Sequence, residues 1–277
     1  MPDYHDGRMR SIRGNFGCEA QLAMNSSGIR LSYLTEKLGQ SILRIVPQTA
    51  CVRVLSGPLR GKKWIAGAST NSCWLGVYEM PKQKVFRSLI RPGDVVYDLG
   101  ANVGFYSLLA SVLVGPNGHV FSFEPLPRNL DLLRRHVGEN NVANCTIVAS
   151  AVSDRAGIAR FEAQCNPHTT RLSASGSITV ELASLDDLLA SSEILPPNVI
   201  KCDIEGAEFD ALNGARTTLV RHRPTILLAT HGGTVHKLCC DFLVALGYSV
   251  CSLEKGMPLA QSSELLATCS APQGHDA

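Results

Sequence analysis

The stretch 95–114 constrains the fold of this chain more than any other. A β-branched run ends at Asp98, two glycines follow as Gly100 and Gly104, and an apolar, helix-compatible run covers 105–114. This order predicts a strand over about 95–98, a tight glycine turn and the start of a helix. In such a geometry, backbone N–H groups and a carboxylate at the strand end can face a ligand.

An acidic residue follows at the spacing that is typical of nucleoside binding. Glu124 lies twenty residues after Gly104, at the end of the apolar run 120–123. A carboxylate at the end of the second strand of such a unit can accept hydrogen bonds from both hydroxyls of a ribose. The turn alone would also fit a βα unit without a ligand, but together with Glu124 it indicates a cofactor that contains a nucleoside.

The glycine turn distinguishes between classes of nucleoside cofactor. The dinucleotide motif is Gly-x-Gly-x-x-Gly, whose middle glycine lets the backbone approach a pyrophosphate. Here Asn102 occupies the middle position, and Asp98 precedes the first glycine, where it disfavours a ligand with two phosphates. A cofactor with a ribose, no phosphate and a cationic end fits better, and S-adenosylmethionine has these properties. An NAD-dependent oxidoreductase remains the alternative.

Strand and helix patterns alternate along the chain. The predicted strands are 95–98, 119–123, 145–149, 199–203 and 225–230, and predicted helices include 105–114, 127–137, 209–219 and 235–246. Between Gly157 and Glu181 the apolar pattern has period 2, which predicts an inserted β segment. The alternation predicts an α/β fold, a Rossmann-like, doubly wound and mostly parallel sheet whose ligands lie beyond the carboxyl ends of the strands.

The 277 residues can bury a full core as one large domain or as one domain with a cap. We expect residues 1–28, which are polar and glycine-rich, to be poorly ordered. Residues 29–90 are predicted to form an N-terminal helix and strand cap or substrate region, with a helix over 31–45. We expect the Rossmann-like domain over 91–255, and a C-terminal strand and a polar tail over 256–277.

Composition and sequence pattern limit the cellular locations and the classes of binding partner that the chain is expected to have. No apolar run reaches the ~18 residues of a membrane span, and the polar first 17 residues lack the apolar core of a signal peptide. The ten cysteines are scattered and form no Cys-x-x-Cys zinc pattern. These features predict a cytoplasmic protein with reduced thiols. No basic run with interleaved aromatic residues indicates nucleic-acid binding.

Charge is distributed unevenly along the chain. Residues 1–90 contain thirteen Lys or Arg and five Asp or Glu, whereas residues 91–277 contain thirteen and nineteen. A basic N-terminal third is compatible with an anionic acceptor molecule, and equally with a solvated basic face. The oligomeric state is left open.

A second group of candidate residues follows the predicted fourth and fifth strands. Asp203 and Glu205 are two apart on an extended segment, so their side chains point the same way, and His231 ends the fifth strand. Each can act as a general base or hold an acceptor beside a cofactor. Each residue also has a structural alternative. Asp203 could orient a neighbouring loop, Glu205 could cap the following helix or place a negative charge at its N-terminus, and His231 could stabilise the fold.

Two further expectations concern metals and histidines. Asp203, Glu205 and His231 could in principle bind a divalent metal, but no spacing rule supports such a site, so no metal is predicted. His136 and His222 follow basic residues on predicted helices, and we expect both at the surface.

Several short motifs follow one another in a fixed order. They are 57–61 (GPLRG), 75–79 (LGVYE), 98–104 (DLGANVG), 123–125 (FEP), 151–154 (AVSD), 184–188 (SLDDL) and 201–208 (KCDIEGAE). Together they resemble the FkbM-type methyltransferases, a branch of the S-adenosylmethionine-dependent Rossmann-like enzymes, over residues 57–248.

The resemblance implies transfer of a methyl group, commonly to a hydroxyl oxygen of a small metabolite or a sugar. It also implies cofactor contacts for the methionine end (Asp98, Gly100, Asn102, Gly104), the ribose (Glu124), the adenine (Ala151, Val152, Ser153) and a closing segment on the N-terminal side (Tyr78, Glu79). Two departures are His231, near which the family often has a carboxylate, and Cys202, where an aliphatic residue is usual. A cofactor-binding protein without catalysis therefore remains an alternative.

Overall fold

The computed structural model describes residues 46–161 and 177–269. The strands are β1 (Cys51–Arg53), β2 (Lys63–Ile65), β3 (Val95–Leu99), β4 (His119–Phe123), β5 (Cys145–Val148), β6 (Ser150–Val152), β7 (Gly157–Phe161), β8 (Ile178–Ala183), β9 (Val199–Cys202), β10 (Thr225–Ala229), β11 (Ser249–Ser252) and β12 (Glu264–Thr268). The helices are α1 (Asn71–Leu75), α2 (Met80–Leu89), α3 (Phe105–Val114), α4 (Pro127–Glu139), α5 (Leu185–Ala190), α6 (Glu208–Asn213), α7 (Arg216–His222) and α8 (Gly233–Ala245), with a 3₁₀ helix at Leu259–Gln261. The expectations for 1–28, for the helix over 31–45 and for the tail after 269 lie outside the described residues.

Within the described residues, a seven-stranded sheet in the order β11-β12-β10-β9-β3-β4-β5 forms the centre of the fold. The strands from β10 to β5 pair in parallel, and β12 and β11 add antiparallel strands at one edge. Because β4 and β5 continue on one side of β3 and β9 lies on the other, the strand order reverses between β3 and β9. The loops that leave these strands diverge there and form a crevice. The predicted doubly wound, mostly parallel fold is confirmed.

The sequence explains why β3, α3 and β4 form where they do. Strands β3 and β4 are almost continuously apolar and are buried on both faces, as parallel central strands require. Helix α3 is apolar around most of its circumference, and it is buried along nearly its whole length. Its bounds agree with the predicted helix, and those of β4 agree with the predicted strand.

The single helix predicted over 209–219 is wrong, because two helices, α6 and α7, occupy this region. The chain turns between them at Gly214, where an added Cβ would lie 2.1 Å from the Ser153 carbonyl oxygen. The Asp186 carboxylate accepts hydrogen bonds from the Thr217 and Thr218 backbone N–H groups, both 2.8 Å long. This contact starts a new helix, because a carboxylate satisfies the free N–H groups at a helix N-terminus.

The inserted β segment is confirmed in its described parts. Strands β7 and β8 pair antiparallel, and β8 also pairs in parallel with β6, which gives a small three-stranded sheet. Residues 162–176, between β7 and β8, lie outside the described residues. Strand β6 and the loop after it reach the carboxyl edge of the central sheet, where the candidate site lies.

Residues 46–90 pack directly against the central domain. Trp64 of β2 and Phe86 of α2 are fully buried and belong to the same hydrophobic cluster as Phe105 and Leu109 of α3. The Trp64 ring meets the Phe105 ring edge-on at a centroid distance of 6.0 Å. This region therefore shares a core with the sheet, while a role in binding substrate remains a prediction. Among the described residues, no helix is long and apolar enough to cross a membrane.

His136 on α4 is fully buried, so the expectation that it lies at the surface is wrong. It lies one turn after Leu133, on the buried face of its helix. Its Nε2 accepts a hydrogen bond from the Ile65 N–H at 3.0 Å, its Nδ1 donates to the Val103 carbonyl at 2.7 Å, and its ring stacks on Trp64 at 3.9 Å. The imidazole thus joins β2 to the turn before α3. His222 is exposed, as expected.

We expect the protein to lose stability as the pH falls from 6.5 towards 4, because His136 must stay neutral to keep these contacts. Burial lowers the pKa of His136 to about 4, and its ordinary value is 6.5. The unfolded chain therefore binds the proton first. This contribution to stability is complete above pH 6.5 and falls by roughly 3 kcal/mol as the pH reaches 4. Urea unfolding at a series of pH values measures this slope.

The matched variant for this prediction is His136→Gln, which cannot titrate. It should be less stable at neutral pH, and its stability should fall less steeply between pH 6.5 and 4 than that of the unmodified protein. Equal slopes would show that carboxylates elsewhere cause the acid sensitivity.

Candidate functional site

A cavity of about 440 Å³ opens at the carboxyl ends of the parallel strands. It lies at the reversal of strand order between β3 and β9, where open α/β sheets bind their ligands, and its volume suits a small molecule. Most of the residues that the sequence predicts for the site line this cavity. They are Tyr78, Glu79, Gly100, Asn102, Glu124, Ala151, Val152, Ser153, Asp203, Glu205 and His231.

Glu124 and the glycine turn are joined by direct hydrogen bonds. The Glu124 carboxylate accepts from the Asn102 N–H at 2.8 Å through Oε2 and from the Leu126 N–H at 2.9 Å through Oε1. The Glu124 side chain is almost fully buried, and burial raises its pKa while these hydrogen bonds lower it. Oε2 keeps capacity for a further donor from the cavity, such as a ribose hydroxyl. Asn102 has φ +51°, a conformation that asparagine tolerates, so the turn forms without a glycine at this position.

Asp98 does not line the cavity, in contrast to the contact that the resemblance implies. It is fully buried behind the wall, where its carboxylate lies 3.1 Å from the Lys201 ammonium and accepts from the Ser107 hydroxyl at 2.7 Å. Lys201 in turn donates to the Gly100 carbonyl at 2.9 Å and lines the cavity. Asp98 therefore acts on the glycine turn through Lys201.

Gly104 also lies outside the cavity wall. It has φ +97°, and an added Cβ would lie 2.5 Å from the Leu133 side chain on α4. The close approach of α4 to the start of α3 therefore accounts for a glycine at this position.

Tyr78 and Glu79 line the cavity from the N-terminal side. The Tyr106 hydroxyl donates to Glu79 Oε2 at 2.8 Å, which ties the segment before α2 to α3. The Tyr78 ring meets the Phe105 ring edge-on at a centroid distance of 5.0 Å. Burial raises the pKa of Tyr78 well above its ordinary value, so the phenol stays protonated at neutral pH.

Asp203, Glu205 and His231 lie close together on the cavity wall. His231 Nε2 lies 3.8 Å from Asp203 Oδ1 and 3.6 Å from Glu205 Oε2. The three candidate residues are therefore neighbours, although Asp203 and Glu205 follow β9 and His231 follows β10. Strands β9 and β10 are adjacent and parallel, which brings the residues at their carboxyl ends to one edge.

Lys82 is a member of this group that the sequence did not indicate. Its ammonium lies 3.0 Å from Asp203 Oδ2 and 2.8 Å from Glu264 Oε1, and its side chain is 7% exposed. Burial raises the pKa of Asp203, but the Lys201 and Lys82 ammonium groups outweigh burial and lower it to about 2. Asp203 is therefore a fixed anion and a weak base.

Glu208 holds His231 from the side opposite the cavity. Its Oε1 lies 2.8 Å from His231 Nδ1 and also accepts from the Gly206 N–H at 2.9 Å. The Glu208 side chain is fully buried. The hydrogen bond to Glu208, followed by the nearby carboxylates, raises the pKa of His231 against the effect of partial burial.

The ligand-type atoms of Asp203, Glu205 and His231 lie within 4.8 Å of one another. Among the described residues, this group comes nearest to the arrangement that a metal ion requires. Lys82 already supplies a cation to Asp203, so we keep the prediction that the site functions without a metal ion.

The structure is therefore an α/β protein with a cavity at the carboxyl edge of its central sheet. Residues 98–250, more than half of the chain, match the family model described as the methyltransferase FkbM domain. The chain belongs to the FkbM methyltransferase family, which confirms the resemblance found from the sequence motifs.

Three curated relatives are similar to parts of the chain. The hexuronic acid methyltransferase AglP of Haloferax volcanii is 30% identical over 159 residues, which cover 55% of this chain and 63% of that protein. The 31-O-demethyl-FK506 methyltransferase FkbM of Streptomyces tacrolimicus is 44% identical over 72 residues, 26% of this chain and 27% of that protein. The 2-O-methyltransferase NoeI of Sinorhizobium fredii is 27% identical over 164 residues, 50% and 66% respectively. The chain thus matches less than two thirds of the length of each relative.

Among solved structures, the methyltransferase FkbM from Methylobacillus flagellatus aligns with a TM-score of 0.47 and 18% identity. The alignment covers 67% of this chain and 50% of that chain.

Proposed function

We propose that this chain is an S-adenosylmethionine-dependent methyltransferase that methylates a hydroxyl oxygen of a small metabolite or a sugar. The proposal rests on the hydrogen bond that the Glu124 carboxylate accepts from the Asn102 N–H of the glycine turn, on the wall of the cavity. A buried carboxylate at this place suits a ribose, whereas Asn102 replaces the glycine that a dinucleotide requires.

We propose one contact region on the cavity wall for each part of the cofactor. Glu124 would accept a ribose hydroxyl, the loop 151–153 would flank the adenine, and the turn at Gly100 and Asn102 would hold the methionine end. Tyr78 and Glu79 would cover the cofactor from the N-terminal side. Bound there, S-adenosylmethionine supplies an electrophilic methyl group on a sulfonium, and the protein's task is alignment and exclusion of water.

His231 is the best candidate to receive the proton of the acceptor hydroxyl. Its Nε2 lies on the cavity side of the ring, between Asp203 and Glu205. Asp203 is held as an anion by Lys82 and is a poor base, whereas an imidazole titrates close to neutral pH. Glu205 is the second candidate, since it borders the same space.

The names of the relatives support an oxygen acceptor. One is a 2-O-methyltransferase, one acts on 31-O-demethyl-FK506, and one is named for a hexuronic acid. The described lining of the cavity carries five carboxylates, those of Glu79, Glu124, Asp203, Glu205 and Glu264, and one lysine, Lys201. This excess of negative charge favours a neutral hydroxyl over the anionic acceptor that the basic N-terminal third suggested.

The proposed function is tested by incubating the protein with methyl-labelled S-adenosylmethionine and the small-molecule fraction of an extract of the source cells. Mass spectrometry should detect one labelled product with the label on oxygen, and His231→Asn should form it at least ~100-fold more slowly. Binding of the cofactor without a labelled product would favour a non-catalytic, cofactor-binding regulator instead.

We expect Glu124→Gln to weaken the binding of S-adenosylhomocysteine by roughly 10- to 100-fold, because a hydrogen bond to a charged group contributes about 1.5–3 kcal/mol. Calorimetry measures the dissociation constant. Glu181→Gln is the control, since Glu181 is exposed on β8 and does not line the cavity. Equal affinities of Glu124→Gln and the unmodified protein would remove the ribose contact from the proposal.

A further inference from the structure

Glu208 does not line the cavity, but it is hydrogen-bonded to His231, which does. The carboxylate is fully buried at the first residue of α6, and its Oε1 is shared between the His231 ring and the Gly206 N–H. Its Oε2 is buried without a hydrogen-bond partner among the described atoms. Such a buried carboxylate is costly to maintain, which is explained if it has a function.

We propose that Glu208 is a positioning residue that holds the His231 ring with its proton on Nδ1, so that Nε2 faces the acceptor hydroxyl without a proton. This inference rests on the proposed function. A carboxylate can only accept a hydrogen bond, so the 2.8 Å contact requires Nδ1 to donate. In a neutral imidazole, the other nitrogen is then a free acceptor.

The groups around the ring stabilise it after it has received the proton. Glu208 on α6 faces Nδ1, and Asp203 and Glu205 after β9 face Nε2. Lys82 on α2 neutralises part of this charge through its contact with Asp203. These carboxylates favour the protonated ring over the neutral one. Glu208 Oε1 is the nearest of their oxygens to a ring nitrogen, at 2.8 Å from Nδ1.

In the transfer step, the acceptor O–H bond breaks and its proton moves to Nε2 of His231. The oxygen forms a bond to the methyl carbon, and the electron pair of the breaking S–CH₃ bond returns to sulfur. S-adenosylhomocysteine and a methyl ether are the products. His231 then releases its proton to water. Glu208 accepts the hydrogen bond from Nδ1 before and after this transfer.

Imidazole nitrogen NMR of the 277-residue chain tests the proposal without any acceptor. His231→Asn identifies the His231 signals among those of the eight histidines. In the unmodified protein, at a pH above the pKa of His231, the neutral ring should have its proton on Nδ1. In Glu208→Gln, its titration should move to lower pH, because the negative charge is lost while the side-chain volume is kept. In Glu208→Ala, the fixed tautomer should be lost.

A neutral His231 protonated on Nε2 in the unmodified protein would overturn the proposal, and this result does not depend on whether a variant of Glu208 folds. An unchanged titration in a folded Glu208→Gln would do the same. Asp186→Asn is the control, because Asp186 caps α7 and makes no hydrogen bond to His231. Its His231 signals should match those of the unmodified protein.

The methyl-transfer assay gives a second readout. Glu208→Gln should bind S-adenosylhomocysteine with unchanged affinity, because Glu208 does not line the cavity, while the rate of label incorporation falls about 10- to 100-fold. Glu208→Gln should also stay active to a lower pH than the unmodified protein, because its His231 loses the proton at lower pH. Glu208→Asp should recover part of the rate. Loss of activity on treatment with EDTA, restored by MnCl₂, would overturn the proposal, since His231 would then bind a metal. Failure of S-adenosylhomocysteine to bind at all would overturn the proposed function instead, without changing the NMR result.

Discussion

Replacing Asp98 with alanine is expected to lower the free energy of unfolding by about 3–5 kcal/mol. The Asp98 side chain is fully buried, and its Lys201 partner, 3.1 Å away, is 4% exposed. Burial lowers the pKa of Lys201, but Asp98, followed by Asp203, outweighs burial and raises it. Without Asp98, Lys201 would keep a buried charge with too little compensation, and the Gly100 carbonyl would lose a firmly placed donor.

Urea unfolding of Asp98→Ala measures this cost, and two further variants define its origin. The double variant Asp98→Ala with Lys201→Met should be more stable than Asp98→Ala alone, because it removes both buried charges. Asp131→Ala removes the partner of Arg134 in an exposed ion pair, and it should cost less than about 1 kcal/mol. A cost of that size for Asp98→Ala would contradict the role of this buried pair.

Gly100→Ala should cost roughly 3 kcal/mol of stability and also abolish measurable cofactor binding. An added Cβ would lie 2.0 Å from the Asp203 carbonyl oxygen, which belongs to backbone that a single methyl group cannot easily displace. Gly100 also has φ +75°, which disfavours every residue with a side chain. The close approach arises because β3 and β9 are neighbours where the strand order reverses.

Gly93→Ala separates these two causes. Gly93 has φ +90° and nothing within 4 Å of an added Cβ, so this variant has only the backbone strain, about 1–2 kcal/mol. It should bind S-adenosylhomocysteine normally, because Gly93 does not line the cavity. Thermal melts and calorimetry of both variants give the comparison. Equal effects on stability would show that the contact with Asp203 has no part in the cost.

The cofactor side of the site could be predicted because its signals are local in sequence. The run before Asp98, the glycine turn and Glu124 form one βαβ unit, so spacing alone indicates where they meet. The predicted cofactor contacts are wrong for two residues whose surroundings are determined by tertiary packing. Asp98 and Gly104 are explained by Lys201 and Leu133, two contacts that no local pattern predicts.

The acceptor side could be predicted only in part. Asp203, Glu205 and His231 were found because they follow parallel strands, whose carboxyl ends share one edge of the sheet. Lys82 was missed because it is 121 residues from Asp203, and a lysine on a helix usually faces water. His136 was misassigned for a related reason, because its buried role depends on Trp64 and Ile65, far away in the sequence.

The two departures from the family pattern now have different meanings. Cys202 is fully buried in the core, where a thiol packs like a small apolar side chain, so its effect is structural. His231 lies near the position where the family often has a carboxylate. The His231 ring is hydrogen-bonded to the Glu208 carboxylate. Under our proposals, His231 therefore has a role in proton transfer.

We propose that the cavity binds S-adenosylmethionine and not a dinucleotide. Calorimetric titration of the 277-residue chain with S-adenosylhomocysteine and, separately, with NAD⁺ tests this assignment. We predict that one S-adenosylhomocysteine binds per chain with a dissociation constant below ~100 µM, and that NAD⁺ gives no heat of binding at the same concentration. Binding of NAD⁺ in preference to S-adenosylhomocysteine, or of neither, would contradict the assignment.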